Sequence, residues 1–424
     1  MFKFFKNISY SLLGKVIAMV FWALLDIVAA RLLGKDAYAE WAYFFAIATM
    51  LFYIGWFGIN ASAKVYISKY ENEPEKKQDC LLSSIIIRFA VSLIIGLAIY
   101  FILPGYAESL GFPDKYPNLK WLFECAAVLV IMNSITEFLK SLFMGLNRFK
   151  ELFIVTVLEH GGYFVFSVIL LMFGRNVRSI AYGYLLGGLI TNIIGFIYVF
   201  INNRIKYPVK FSNFKPYLKE IGRYALPMAF IGIGGMVLVE MDTFMLGLFS
   251  TKSDVAVYNI AKSLCSKATH VNFALAVGVM TSFSLVDRDN VKEKKKEFIR
   301  MELLNIFIAL SVSLCFLIFA GIAIKILYGD EYVEAASLLR MLVLYYSLYS
   351  ISNFYSVFLD FRKKANIRSF WYASIIVINF TLNYLWIPVY GATGACWATG
   401  LSLVPYTIAT FIETRKEWKK LSLQ

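Results

Sequence analysis

The chain has 424 residues, of which 59% are hydrophobic and 17% are charged, and its mean hydropathy is +0.66. Soluble domains contain roughly 45–50% apolar and about 25% charged residues, so a soluble enzyme, a disordered chain and a secreted disulfide scaffold are poor hypotheses. The net charge of +14 comes from basic residues spread along the chain, which argues against a nucleic-acid-binding patch. Five scattered cysteines without a CxxC motif, expected to be buried and inert, and only two histidines predict no metal or redox site.

Apolar runs long enough to cross a lipid bilayer recur along the whole sequence. A spanning helix needs roughly 20 apolar residues, and every backbone polar group inside lipid must be paired within the protein. Twelve runs meet this requirement, at about 9–31, 40–62, 81–103, 121–146, 152–173, 180–201, 222–248, 255–284, 301–325, 335–359, 367–388 and 391–413. The sequence therefore predicts an all-α polytopic membrane protein with twelve transmembrane helices.

The distribution of positive charge tests this count. If the N-terminus is cytoplasmic, the seven predicted inner segments carry 28 Lys and Arg residues and the outer loops carry eight. Cytoplasmic segments are enriched in Lys and Arg, so the alternation favours an even number of spans with both termini in the cytoplasm. We expect a multi-pass protein of the inner membrane whose basic loops contact anionic membrane lipids.

The two halves of the sequence resemble each other at an offset of about 216 residues. Tyr10–Asp26 aligns with Leu226–Asp242, and both segments end in an acid near the predicted outer surface. The basic turn after the fourth span, at 145–152, aligns with the turn at 360–367. The pattern predicts an internal duplication.

A basic linker separates the two halves. The stretch 201–223 carries six Lys and Arg residues and two prolines, so we place an N-lobe at 1–205 and a C-lobe at 206–424. Each lobe would hold six helices with the same orientation, related by a pseudo-two-fold axis along the membrane normal. Parallel repeats of this kind are a transporter architecture with the substrate path between them.

Three segments carry a family resemblance: AARLLGKDAYAEWAYFFAI at 29–47, YALPMAFIGIGGMVLVEMDTFMLGLFSTKSDVAVYNIAKSL at 224–264, and NFTLNYLWIPVYGATGACWATGLS at 379–402. They resemble the polysaccharide-export branch of the MOP superfamily, the Wzx-type oligosaccharide-lipid flippases. The resemblance implies a MATE-like fold and alternating access. It also implies transport of a prenyl-diphosphate-linked oligosaccharide from the cytoplasmic to the outer leaflet for surface polysaccharide assembly. A polysaccharide polymerase and a chain-length regulator would be its protein partners.

Two other functions stay open at this stage. A MATE-type drug or cation antiporter has the same fold and predicts a compact acidic and aromatic pocket. A membrane-embedded sugar transferase or polymerase predicts outer-surface carboxylates, for which the candidates are Glu108, Asp114, Asp330 and Glu331. The loops are short and contain no catalytic motif, so we expect a transporter rather than an enzyme.

Charged residues inside the apolar runs are the candidate site residues, because each costs roughly 2.5–3.5 kcal/mol to insert at the centre of a membrane helix. A diphosphate cargo needs cations along its path. The substrate-binding candidates are Lys15, Arg88, Lys262, Lys267, His270 and Arg340. An internal ion pair, or a side chain that reaches to the membrane surface, is the alternative for each.

The intramembrane acids form a second set of candidates. Coupling to Na⁺ or H⁺, gating, and purely structural ion pairs all remain open for Asp26, Asp242, Glu240, Glu137, Glu159 and Lys140. Glu137 and Lys140 are i, i+3 neighbours on one helix face, and Asp242 is a candidate partner for Lys262. No other cofactor is predicted. Prolines and glycines supply hinge candidates, namely Pro227, Gly234 and Pro405.

Overall fold

The computed structural model describes residues 2–56, 58–70, 72–109, 112–203, 211–280, 283, 290–362 and 364–423. The regular elements of these residues are helices. In this part of the chain, nine helices are long and apolar enough to cross a membrane. The protein is therefore a multi-pass membrane protein, as the apolar runs predict. The count of twelve spans stays a prediction.

The helices divide by their contacts into two compact units, 1–240 and 241–424. The predicted lobe boundary at 205/206 falls outside the described residues and stays a prediction. The helices that lie in unit 1, or begin there, are α1 (Phe2–Leu33), α2 (Lys35–Trp56), α3 (Ile59–Lys69), α4 (Pro74–Ser109), α5 (Phe112–Lys115), α6 (Leu119–Gly145), α7 (Phe149–Gly174), α8 (Val177–Asn203) and α9 (Phe211–Phe249). The last of these crosses from unit 1 into unit 2.

Unit 2 continues with α10 (Lys252–Met280), α11 (Val291–Tyr328), α12 (Ala335–Met341), α13 (Val343–Phe361) and α14 (Ala365–Leu423). A 3₁₀ turn at Asp330–Tyr332 precedes α12. The α14 helix contains both of the last two predicted spans, which meet at a bend at Gly391.

Small residues allow close helix packing in unit 1. The backbones of α7 and α8 approach each other at Gly162 and Gly187, where a Cβ atom on Gly187 would lie 2.6 Å from the carbonyl carbon of Gly162. A side chain at Gly187 would therefore push the two helices apart. Glycine pairs of this kind let membrane helices pack tightly where lipid supplies no hydrophobic driving force.

A backbone with positive φ occurs at one aligned position of the two units, although ψ is 39° at Arg175 and −134° at Gly391. Gly391 has φ 55° and ψ −134°, and Arg175, between α7 and α8, has φ 42°. These positions are 216 residues apart, which is the offset of the sequence repeat. A positive φ is strained for residues with a Cβ atom, so glycine suits the turn of unit 2 better than arginine suits that of unit 1.

Lipid-facing surfaces are apolar. Leu303, Phe307 and Ile318 are among many exposed apolar side chains on α11, which fits a helix with one face in lipid. Cys80, Cys125, Cys265 and Cys396 are buried as expected, whereas Cys315 is exposed. Its position on lipid-facing α11 explains why its apolar surroundings in the sequence did not mean burial within the protein.

Candidate functional site

Unit 1 contains a charged cluster between α6 and α7. The ammonium of Lys140 lies 2.5 Å from Glu137 Oε1 and also contacts Glu159 Oε2. The side chains of Lys140, Glu137 and Glu159 are 10%, 26% and 2% exposed. The structure thus forms the i, i+3 pair of Glu137 and Lys140 that the sequence predicts and adds Glu159 of α7 to it. We call them the carboxylate–lysine cluster.

Two carboxylates share a single ammonium in this cluster. If all three groups are ionised, the cluster carries one net negative charge inside the membrane, which is costly unless a cation or a proton balances it. His160 Nε2 lies 3.6 Å from Glu159 Oε2, and the rings of Tyr163 and Tyr184 stack nearby on α7 and α8 with centroids 4.5 Å apart. The imidazole of His160 and the stacked rings of Tyr163 and Tyr184 are therefore the polar and aromatic neighbours of the cluster.

Arg88 on α4 is fully buried in unit 1. Its Nε donates to the carbonyl of Ser134 at 3.1 Å, and its Nη1 donates to the carbonyl of Trp56 at 2.7 Å. Among the described residues, its Nη2 has no hydrogen-bond partner. In this conformation Arg88 ties α4 to α6 and to the end of α2, and it is not exposed on a cavity surface. Its predicted contact with substrate stays a prediction.

Unit 2 contains a different polar site around Asp242, which is 2% exposed. Its Oδ1 accepts hydrogen bonds from Asn379 at 3.0 Å and from Asn383 at 2.5 Å. Its Oδ2 accepts from the hydroxyls of Tyr258 and Thr399, both at 2.6 Å. Four neutral donors on α10 and α14 thus surround one carboxylate of α9. We call this group the Asp242 site.

The proposed Asp242–Lys262 pair is not formed. Lys262 Nζ donates to Thr243 Oγ1 at 2.9 Å, and no cation pairs with Asp242 in the part of the chain that the structure describes. Neutral donors can satisfy a buried carboxylate, because hydrogen bonds to an ionised acceptor are stronger than those between neutral groups. The sequence signal that was missed is the pair of asparagines, Asn379 and Asn383, spaced i, i+4 in an apolar run.

Asp26 occupies the equivalent repeat position in unit 1. It is half-buried and accepts a hydrogen bond at 2.7 Å from the hydroxyl of Tyr38 on the next helix. Tyr258 makes a similar contact with Asp242 in unit 2, although the offset of 216 does not align Tyr258 with Tyr38. In both units, an acid at the same repeat position is held by a tyrosine of the following helix.

The remaining predicted cations lie in separate places. Lys15 is exposed on α1, Lys267 is half-buried on α10, and His270 is exposed on the same helix. Lys267 Nζ donates to the carbonyl of Ser263, one turn earlier, at 3.3 Å. Arg340 is exposed on α12 and donates from Nε to the carbonyl of Leu317 at 3.0 Å. Their contact with substrate stays a prediction.

The three hinge candidates lie on two helices, α9 and α14. Pro227 and Gly234 lie outside the residues whose side chains are described, within the helical stretch of α9. Pro405 lies inside α14, whose backbone leaves helical geometry at Gly391, and its role as a hinge stays a prediction. Glu240, the acid two residues before Asp242, is half-buried.

Ion pairs with lysines are described for two of the four carboxylates that were predicted to lie at the outer surface. Glu108 Oε1 lies 2.6 Å from Lys120, and Asp330 Oδ1 lies 2.9 Å from Lys325. All four side chains are exposed. These contacts are surface ion pairs rather than the converging carboxylates that sugar chemistry needs.

Comparisons with known proteins give the family and the fold. The profile of the family described as "Polysaccharide biosynthesis protein" matches residues 4–281, which is more than half of the chain. The "Probable low-salt glycan biosynthesis flippase Agl15" of Haloferax volcanii is 22% identical over 283 residues, 66% of this chain and 58% of that protein. The chain therefore aligns with less than two thirds of that relative's length.

Solved structures of low identity share the fold. An inward-facing multidrug resistance MATE family transporter of the MOP superfamily matches with a TM-score of 0.76 at 17% identity, over 96% of both chains. The lipid II flippase MurJ in an inward closed conformation matches with a TM-score of 0.72 at 17% identity, over 98% of this chain and 90% of that one. The chain belongs to the polysaccharide biosynthesis protein family and has the all-α membrane fold of the MOP superfamily.

Proposed function

We propose that the protein flips a prenyl-diphosphate-linked oligosaccharide from the cytoplasmic to the outer leaflet of the inner membrane, for surface polysaccharide assembly. The observation that carries this proposal is the family match over residues 4–281, joined to a fold that is shared with a lipid II flippase. Transport rather than catalysis is supported because the relatives named above are flippases or transporters. Both termini would lie in the cytoplasm, next to the basic inner segments.

The cargo's diphosphate would need cations that it can reach. In this conformation Lys15 is exposed and Lys267 is half-buried, so these two are our candidates for the first contacts. Arg88 would have to exchange its bonds with the carbonyls of Ser134 and Trp56 before it could bind a phosphate. Only the donor is charged in the present bonds of Arg88, whereas donor and acceptor are both charged in a guanidinium–phosphate pair, which can also be bidentate. That difference favours such an exchange during a transport cycle.

Coupling to Na⁺ or H⁺ is part of the proposal, and the Asp242 site is the place that supports it best. It gathers a carboxylate, two amides and two hydroxyls, and oxygen atoms of these groups are the ligands that hard cations prefer. The buried Oδ1 of Asn383 has no hydrogen-bond partner in the described part of the chain. Rotation of that amide would turn another oxygen toward Asp242. Protonation of Asp242 is the other form of coupling, because a bound proton would neutralise the carboxylate as a bound Na⁺ would.

A MATE-type exporter is the second candidate, because the MATE transporter reported above has a TM-score of 0.76 with this chain. It predicts efflux of organic cations rather than movement of an anionic lipid. The sugar transferase or polymerase is less well supported, since the contacts described for Glu108 and Asp330 are exposed ion pairs with lysines.

Lipid analysis of cells separates these functions. In cells that lack the chain but retain the rest of the pathway, we expect prenyl-diphosphate-linked oligosaccharides to accumulate in the cytoplasmic leaflet. Complementation with Lys15→Gln or Lys267→Gln should leave part of this accumulation. Lys325→Gln should complement fully, because Lys325 is an exposed outer cation paired with Asp330. Normal lipids together with sensitivity to cationic dyes would instead identify a MATE-type exporter.

A further inference from the structure

Unit 2 has an open groove of about 590 Å³ beside α12, α13 and α14. Most of its lining is apolar, including Leu344 and Leu348 of α13 and Trp397 of α14. Trp397 is 44% exposed. Arg340 is the charged residue of this lining. We call this feature the Arg340 groove.

Arg340 is an uncompensated charge in an apolar setting. Its Nε donates to the carbonyl of Leu317 on α11, and no carboxylate pairs with it in the part of the chain that the structure describes. A guanidinium has five N–H donors, so the bond to Leu317 leaves most of them available. The α12 helix begins at Ala335, which puts Arg340 about 8 Å along the helix axis from the end next to the 3₁₀ turn. At such a depth, a lipid-exposed charge needs an anionic partner or a path to the membrane surface.

A glycine of α11 lies beside the guanidinium of Arg340. A Cβ atom on Gly321 of α11 would lie 3.8 Å from Arg340 Nη2, which is ordinary contact distance. A larger side chain at this position would cover the guanidinium. Gly321 is not among the residues that line the groove, so a longer side chain there would contact the guanidinium without filling the groove.

The predicted sequence repeat does not place an arginine at the corresponding position of unit 1. The offset of 216 places Glu124 of α6 at the position equivalent to Arg340. The same helix position thus carries a negative charge in unit 1 and a positive charge in unit 2. The cation is therefore a feature of the second unit, where it bonds α11 through Leu317 and also lines the groove.

We propose that the Arg340 groove binds one anionic phospholipid, from the leaflet on the side of the 329–334 loop. The phosphate would accept hydrogen bonds from Arg340, and an acyl chain would lie along Leu344, Leu348 and Trp397. Charge complementarity decides the occupant, because the groove joins one exposed cation to an apolar channel and a phospholipid joins one anion to apolar chains. The inference does not depend on the transported cargo.

Native mass spectrometry of the full-length, delipidated protein tests this proposal with phosphatidylglycerol and phosphatidylcholine as probes. The wild type should bind one phosphatidylglycerol about tenfold or more tightly than Arg340→Gln, since hydrogen bonds to a charged group contribute roughly 1.5–3 kcal/mol. Arg340→Lys should lie between the two. Gly321→Leu keeps the charge but should reduce binding by covering the guanidinium. Phosphatidylcholine should show no such difference.

Lys325→Gln is the matched control, because it removes a nearby cation that already pairs with Asp330, and it should bind phosphatidylglycerol like the wild type. Equal binding by the wild type and Arg340→Gln would overturn the proposal. An equal loss in Lys325→Gln would also overturn it, by showing that surface charge alone attracts the lipid. If Arg340→Gln weakens binding of a prenyl diphosphate but not of phosphatidylglycerol, the groove belongs to the cargo and the proposal is wrong.

Discussion

The two helical units keep an acid at the same repeat position but surround it differently. Asp26 of unit 1 is half-buried beside Tyr38, whereas Asp242 of unit 2 is buried and has four neutral donors. At the repeat positions of Asn383 and Thr399, unit 1 has Ser167 and Gly183. A Cβ atom on Gly183 would lie 2.3 Å from the Cα atom of Ser167, so close helix packing replaces the polar site there.

Unit 1 places its buried charges elsewhere. Glu137 and Lys140 correspond to Asn353 and Ser356 in unit 2, so the carboxylate–lysine cluster has no charged counterpart at these positions. The two units thus have different polar interiors, an ion cluster on α6 and α7 and a single buried, hydrogen-bonded carboxylate on α9. At positions that the predicted repeat aligns, the two units therefore carry different polar groups.

The largest effect should come from removing the shared ammonium of unit 1. Lys140→Met leaves Glu137 and Glu159 unpaired, and breaking a buried ion pair costs roughly 3–5 kcal/mol. We expect a strong fall in yield and in the thermal unfolding midpoint in detergent. The triple variant Lys140→Met, Glu137→Gln, Glu159→Gln removes all three charges and should recover most of the loss. A triple variant as unstable as the single one would show that packing, not charge, holds the cluster.

Asp242→Asn should have the next largest effect. The neutral amide presents one acceptor oxygen to donors that previously shared two, so we expect a loss of roughly 2–3 kcal/mol. We also expect the dependence of transport on a Na⁺ or H⁺ gradient to disappear. Asp26→Asn in unit 1 is the matched control. It should cost less, because Asp26 is half-buried. Unchanged ion dependence in Asp242→Asn would remove the Asp242 site from the coupling mechanism.

The positive φ angle of Gly391 predicts an effect of intermediate size on stability. Gly391→Ala should destabilise the protein by roughly 1–2 kcal/mol, because left-handed backbone is unfavourable for residues with a Cβ atom. The new atom would also lie 2.8 Å from Asp254 Oδ2. Arg175→Gly, at the equivalent turn, should be neutral or slightly stabilising. Chemical denaturation of both variants in the same detergent measures the difference. A Gly391→Ala protein of wild-type stability would contradict the argument from the turn.

The smallest effect is expected for Glu137→Gln. This change leaves Lys140 paired with Glu159 in a neutral arrangement, so stability should change by less than about 1 kcal/mol. Glu137 is also the more exposed of the two acids. Glu159→Gln should cost more, because its side chain is almost fully buried. The reverse order would show that Glu137 makes the dominant pair.

Sequence patterns predicted the helical architecture more fully than the polar contacts. Hydropathy located the apolar runs, because the apolar character of a run depends only on its own residues. The similarity of two short segments placed Asp26 and Asp242 at equivalent positions in the same way. The donors to Asp242 could not be paired with it in the same way, since Asn379 and Thr399 lie more than 130 residues further along the chain. The contact of Arg88 with substrate stays a prediction, and the bonds that two of its donors make to backbone carbonyls could not be read from the sequence. Every residue carries a backbone carbonyl, so the sequence does not indicate which carbonyls accept hydrogen bonds from a buried arginine.

Movement of a labelled lipid in proteoliposomes tests the central claim most directly. The full-length protein would be reconstituted with a fluorescent prenyl-diphosphate disaccharide, and dithionite quenching would report how much label reaches each leaflet. We expect wild-type protein to accelerate exchange over protein-free liposomes, and a double Lys15→Gln, Lys267→Gln variant to be slower by about tenfold or more. Exchange no faster than in protein-free liposomes, with uptake of a cationic dye by the same preparation, would contradict the flippase account.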